Sequence, residues 1–197
     1  MDKKSLRKLI SQEIKDFSAE ELAEWSHQTC QFILANEMVL ASETIVAFWP
    51  LSDEVDIRPA LRELYRQGKT VLLPHVISDT EMEICKYEGD ESLKKGIFGL
   101  LEPIKPIRNE GLIKNEDTAI HSSFFTLYPS SLILVPGRAF DLKGHRLGRG
   151  KGYYDRFLGE CTDVHTIGVC YPFQIINEVP SDTHDILIKE LLWRTLK

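Results

Sequence analysis

Three apolar runs in this chain end in proline: TIVAFWP (44–50), KTVLLP (69–74) and SLILVP (131–136). Each is rich in β-branched or aliphatic residues and bounded by a breaker, the pattern of a buried strand. Between the first two, Leu61 and Leu64 recur at helical spacing over about Ile57–Gln67, and Gly68 follows as a stop. A strand, a helix and a strand in that order predict a sheet that is parallel at least in part, and so an α/β fold.

The rest of the pattern agrees. Leu6, Leu9, Ile10, Ile14 and Phe17 predict a first amphipathic helix. Ser18 and Glu21 form a capping-box signature for a second, whose apolar face carries Leu22, Trp25, Phe32 and Ile33. EMEICKY (81–87) alternates and reads as a strand, as does HTIGVCY (165–171). A helix should begin at Gly152–Leu158, and the stretch Leu191–Thr195 should add a last strand. Residues 89–122 are rich in Gly, Pro, Asn and charge and read as one long loop. With 197 residues and no internal repeat, the layout is a single domain over residues 1–197.

In open α/β sheets the ligand crevice lies beyond the carboxyl ends of the strands. The segments after the proline-terminated runs hold Ser52-Asp53-Glu54, His75 and RLGRGKGYYD (146–155). His75 reads as a surface or packing histidine. The last stretch alternates glycines at 148, 150 and 152 with arginines and a lysine. It is not a Walker A loop, because Lys151 is followed by Gly152 where a hydroxyl is needed. It is not a dinucleotide fingerprint, because Tyr153 stands where the third glycine belongs. It is not an RNA-reading strand, because Asp155 and Arg156 interrupt the aromatics. Gly150 and Gly152 nonetheless free backbone N–H groups to face an anion, and a helix starting near Gly152 adds its positive end. Arg146, Arg149 and Lys151 supply charge, and Asp155 is placed for a divalent metal. A tight turn with solvated cations would use the same residues, so both readings stand on these residues alone.

Net charge is −6, which argues against a general nucleic-acid or membrane surface but not against a local basic pocket. No run approaches the ~18 apolar residues of a membrane span, and the N-terminus lacks the apolar core of a signal peptide. The cysteines at 30, 85, 161 and 170 have no C-x-x-C spacing and read as free thiols of a cytoplasmic protein.

The longer stretch LILVPGRAFDLKGHRLGRGKGYYDRFL (132–158) closely resembles the signature of the 5-formyltetrahydrofolate cyclo-ligase family. That signature is a hydrophobic strand followed by P-G-x-x-F-D-x-x-G-x-R-L-G-x-G-x-G-Y-Y-D, and every fixed position is present. Shorter matches flank it: Lys3 and Arg7 as K-x-x-x-R, Glu54 after the first strand, and Phe98, Gly99, Glu102 and Pro103 as F-G-x-x-E-P. Gln174, Pro180 and Asp185 complete the set.

The resemblance implies a three-layer sandwich around a mostly parallel or mixed sheet, similar to the sugar-phosphate isomerase and CoA-transferase scaffold. It implies ATP-dependent cyclisation of 5-formyltetrahydrofolate to 5,10-methenyltetrahydrofolate through a phosphorylated formyl intermediate. Lys3, Lys4 and Arg7 would reach the nucleotide from the first helix. Arg146, Gly148, Arg149, Gly150, Lys151, Gly152 and Tyr154 would bind it from the loop. Trp49, Glu54, Phe98 and Tyr153 would contact folate, with Arg149, Gly150, Lys151 and Gly152 shared by both substrates. Arg149 and Lys151 are the candidate catalytic cations, and Asp155 and Asp185 the candidate Mg2+ ligands. The expected partners are small molecules rather than nucleic acid or membrane, and the expected state is a monomer or weak homodimer. A sugar-phosphate isomerase or acyl-transfer enzyme on a similar scaffold is the competing reading, since fold alone does not fix function. A non-catalytic nucleotide or RNA module is a more distant one.

Overall fold

The three proline-terminated runs lie side by side at the centre of one sheet. The computed structural model describes residues 1–79, 81–96, 99, 101–103, 127 and 130–192. Helices α1 (Lys3–Glu13), α2 (Ala19–Ala35) and α3 (Glu37–Ala41) precede strand β1 (Thr44–Val46). Helix α4 (Arg58–Arg66) leads to β2 (Thr70–Val76) and its antiparallel neighbour β3 (Met82–Lys86). A small ribbon follows, β4 (Leu93–Lys95) with β5 (Leu101–Pro103), then β6 (Leu132–Pro136). The hairpin β7 (Ala139–Phe140) and β8 (Arg146–Leu147) precedes α5 (Tyr153–Gly159), β9 (His165–Val169) and β10 (Glu190–Leu192).

The main sheet runs β10-β9-β6-β1-β2-β3. The five strands from β10 to β2 are parallel, with Ile45 in register with both Leu132 and Val71, and β3 alone is antiparallel. The expected mixed, mostly parallel sheet is thus observed. Alternation along the strands divides the core in two. Ile45, Val71, Leu73, Leu132 and Leu134 face α2 and α4. Val46, Leu72, Ile133 and Val135 face α5 and the segment after it. Helix α1 lies apart, packing Leu6 and Ile10 on Ala139 and Leu147 of the hairpin.

Several boundaries differ from the sequence pattern. The first strand is shorter than 44–50, although Ala47 N–H still donates to Leu72 O. β2 continues through Pro74 to Val76. The Leu72 carbonyl points to β1 and accepts from Ala47 N–H, and Pro74 lies past that bond, so its missing N–H breaks no ladder. The first helix ends at Glu13 and tightens to a 3-10 turn over Ile14–Asp16. Phe17 leaves the helix extended and stacks on Phe173 at 4.9 Å. The Ser18–Glu21 capping box is present and starts α2.

The long loop expected over 89–122 instead contains a 3-10 turn and the β4–β5 ribbon, and the part from 104 onward lies outside the described residues. Three-residue strands such as LKK and LEP carry too little alternation to be read. The terminal strand begins one residue early, at Glu190, and the remainder of the expected 191–195 lies outside the described residues.

Candidate active site

The carboxyl ends of β1, β2 and β6 open onto one pocket whose wall combines Trp49, Pro74, Val76 and Met82 with the glycine-rich turn. Gly150 and Gly152 have φ of 102° and 70°. These are left-handed values that cost a residue with a Cβ about 1–2 kcal/mol. Gly152 caps α5, and among the described residues no side chain bonds to that end of the helix. Its first N–H groups are therefore left for other acceptors. Helix α1 comes to the same turn. Arg7 Nε donates to Gly148 O at 2.7 Å, and a Cβ on Gly150 would stand 3.4 Å from the Arg7 guanidinium.

The cations around the turn are held by acids. Arg149 donates to Glu54 Oε1 from Nε and Nη2 at 3.0 and 2.9 Å and also pairs with Asp53. Burial disfavours the Arg149 charge, but Asp53 and Glu54 outweigh it and hold the guanidinium more firmly protonated. Burial likewise raises the Asp53 carboxyl, yet Arg149 and Arg138 prevail and keep it below the usual range. Glu54 is fixed from behind, because Leu51 N–H donates to its Oε2 at 3.0 Å. Lys151 is more exposed and reaches Asp79 at 2.7 Å.

Arg146 is buried. It bonds Asp155 at 2.8 Å and lies 5.5 Å over the Tyr154 ring. Arg146 Nε and the Tyr154 hydroxyl are both buried without a hydrogen-bond partner among the described residues. Such groups carry bonding capacity that a ligand can satisfy. Burial, with Glu54 adding to it and Arg146 opposing, pushes the Tyr154 phenol above its ordinary range. It is therefore a neutral donor at physiological pH. Lys3 Nζ pairs with Asp185 at 2.6 Å and Asp182 at 2.7 Å. Burial raises the Asp185 carboxyl, but Lys3, the Asp182 N–H and Arg146 together lower it, so it is ionised.

Most of the expected residues therefore converge. Trp49, Glu54, Arg146, Gly148, Arg149, Lys151, Gly152, Tyr153, Tyr154 and Asp155 all line the pocket. Lys3 and Arg7 are engaged by groups of the site rather than solvated on a helix face. Asp155 and Asp185 are each already paired with a cation, Arg146 and Lys3 respectively. Lys4 is exposed and bonds to nothing at the site among the described residues. The Tyr153 hydroxyl donates to Ser78 O at 2.7 Å, and the ring lies under Arg156. Phe98 lies outside the described residues.

Sequence reasoning assigned no site role to Asp53, Arg138 or Glu102. Asp53 adjoins Glu54, and Arg138 and Glu102 stand inside quoted motifs, so each had a signal in its neighbours.

The chain matches the model of the 5-formyltetrahydrofolate cyclo-ligase family over residues 1–194. It is 28% identical to the 5-formyltetrahydrofolate cyclo-ligase of Mus musculus, covering 97% of this chain and 93% of that protein. Among solved structures it is similar to the 5,10-methenyltetrahydrofolate synthetase of Aquifex aeolicus. The TM-score there is 0.75 at 28% identity, over 100% of this chain and 97% of that one. It is also similar to the 5,10-methenyltetrahydrofolate synthetase of Mycoplasma pneumoniae. The TM-score is 0.70 at 25% identity, over 98% of each chain.

Proposed function

The chain belongs to the 5-formyltetrahydrofolate cyclo-ligase family, and from that premise we propose how its residues divide the work of an ATP-dependent carbon–nitrogen ligase. The reaction converts 5-formyltetrahydrofolate and ATP to 5,10-methenyltetrahydrofolate, ADP and phosphate. The formyl oxygen is an amide oxygen and a poor leaving group. It takes the γ-phosphoryl of ATP as the bond to ADP breaks. N10 then attacks the formyl carbon and loses its proton, and phosphate departs with the oxygen. The isomerase and acyl-transfer readings are not favoured, because this family is a ligase family.

One observation carries the reading: Arg7 of α1 donates to the backbone of the glycine-rich turn that Arg146 leads into and that bears Arg149 and Lys151. Phosphoryl transfer asks a protein mainly for positioning and charge stabilisation. Lys3 and Arg7 of α1, with Arg146, Arg149 and Lys151, would supply the charge, and Gly148, Gly150 and Gly152 the backbone donors. Lys4, on the exposed face of α1, adds a longer-range positive charge. Each of Lys3, Arg146, Arg149 and Lys151 is paired with a carboxylate. Binding the triphosphate is then an exchange of partners, phosphate oxygens for carboxylates. Arg149 bridges the turn and Glu54, so it serves both substrates and, with Lys151, stabilises the transferring phosphoryl group. Trp49 and Tyr153 form apolar walls for the folate ring, and Glu54 is its polar anchor. Tyr154 offers its buried hydroxyl to the nucleotide.

Asp155 and Asp185 fit a magnesium ion carried by the nucleotide. Among the described residues no group of three or more candidate ligands is present. Two carboxylates beside a phosphate site match the way Mg2+ takes one or two carboxylates with phosphates and waters. When bound it would neutralise charge on the phosphates, and Asp155 and Asp185 would hold it once Arg146 and Lys3 turn to the phosphate oxygens. We place the enzyme in the cytoplasm, in keeping with four free, buried cysteines.

Absorbance of the methenyl product tests the assignment. Growth of that chromophore is expected only when 5-formyltetrahydrofolate, ATP and Mg2+ are all present, and growth without ATP would overturn it. Asp185→Asn should raise the Mg2+ concentration for half-maximal rate several-fold with the fold intact. An unchanged requirement removes Asp185 as a ligand.

A further inference from the structure

Beside Glu54 and Asp155 the pocket holds a third carboxylate, to which no task has been given. Glu102 stands on β5 with its side chain only 5% exposed and lines the pocket beside Val76, Met82 and Leu101. Its Oε2 accepts from His75 Nδ1–H at 2.9 Å and from Val76 N–H at 3.2 Å. Its Oε1 has no hydrogen-bond partner among the described residues. A carboxylate can accept about four hydrogen bonds, and an ionised one in an apolar wall is costly until they are made. The backbone is shaped around this group as well: a Cβ on Gly96 would overlap Glu102 Oε2.

We propose that Glu102 reads the donor edge of the substrate's pterin ring, the ring N–H beside the exocyclic amino group, with His75 holding the carboxylate in place. The inference rests on the cyclo-ligase reading and adds the residue that selects the ring. The choice of occupant follows from chemistry. The phosphates of ATP and the carboxylates of the folate tail are anionic and would be repelled. Adenine offers one amino group beside a ring nitrogen that is itself an acceptor, so a carboxylate there would face a lone pair. The pterin edge alone presents two adjacent N–H donors, which match a carboxylate as a pair. A site built to bond such donors discriminates strongly against analogues that lack them, because its buried polar group is then left unpaired.

Glu102→Gln keeps the shape and removes the charge. Its binding of 5-formyltetrahydrofolate should weaken about 10- to 100-fold, the scale of a charge-assisted hydrogen bond. A 2-deamino analogue, in which hydrogen replaces the exocyclic amino group, should lose less than threefold, and ADP should bind as it does to the unaltered enzyme. Equal weakening for folate and analogue would mark Glu102 as a strut for the β4–β5 ribbon and overturn the proposal. Unchanged folate affinity, or a loss confined to ADP, would overturn it too. If Glu102→Gln does not fold, Gly96→Ala, which displaces the carboxylate without removing it, carries the same comparison. An unaltered enzyme that makes no methenyl product overturns the cyclo-ligase reading and this inference with it. One that turns over while Glu102→Gln binds folate normally overturns the inference alone.

Discussion

Glu54 is held from two sides, by Leu51 N–H and by Arg149, so its carboxylate is presented in one orientation. Glu54→Gln should weaken 5-formyltetrahydrofolate binding at least tenfold, the scale of a lost charged hydrogen bond, and change ADP affinity less than twofold. Titration calorimetry with each ligand checks this, and the opposite pattern would reassign the residue to the nucleotide. Gly150 is the complementary case, where backbone rather than side chain decides. At φ 102° an alanine is strained by about 1–2 kcal/mol, with its Cβ 3.4 Å from the Arg7 guanidinium. Gly150→Ala should therefore lower the melting temperature and weaken ADP binding together, whereas a variant that melts earlier but binds ADP normally would separate the turn from the nucleotide. At this scale much was legible. The glycines announced backbone freed to face an anion, and Gly150 and Gly152, the two singled out for it, have positive φ. Which acid would meet which cation was not legible, because Arg146 meets Asp155, Arg149 meets Glu54 and Lys3 meets Asp185 only after the strands are aligned.

Helix α1 is an element whose importance lies in where it docks. Its apolar face packs on the β7–β8 hairpin that precedes the glycine-rich turn, and Lys3 ties its start to Asp185. A Lys3→Ala, Arg7→Ala double variant should lose ADP affinity at least tenfold while α1 stays folded, since Leu6 and Ile10 remain buried. Unchanged affinity would take α1 out of the site. The same clamp has a pH signature. The Asp185 carboxyl titrates below its unfolded value of about 3.9. Its contribution to stability is therefore fully present above about pH 4 and is lost as pH falls through the lower folded value. Urea unfolding between pH 6 and about pH 2.5 should show a shallower acid decline for Asp185→Asn than for the unaltered chain. Among the elements, α2, α4, β3 and β9 were legible from periodicity. The β4–β5 ribbon and the β7–β8 hairpin were not. Their strands are two or three residues long, and pairing rather than local propensity makes them strands.

At the scale of the molecule, the central parallel strands carry the core and deliver the loops to one edge. Leu134 in β6 is fully buried between the sheet and its helices. Leu134→Ala should cost about 2–5 kcal/mol of stability, read by denaturant unfolding, and disturb the glycine-rich turn only through the fold. The α/β class and the position of the crevice were legible because three strands announced themselves with the same ending. The β3 edge and the continuation of β2 past Pro74 depend on contacts between segments and needed the folded chain. The central claim is that this arrangement transfers a phosphoryl group to the formyl oxygen before the ring closes. The most direct test is to supply 5-formyltetrahydrofolate labelled with heavy oxygen in the formyl group, together with ATP and Mg2+. Mass analysis of the released phosphate should find one labelled oxygen for each methenyl product formed. Label appearing in water, with unlabelled phosphate, would contradict the account.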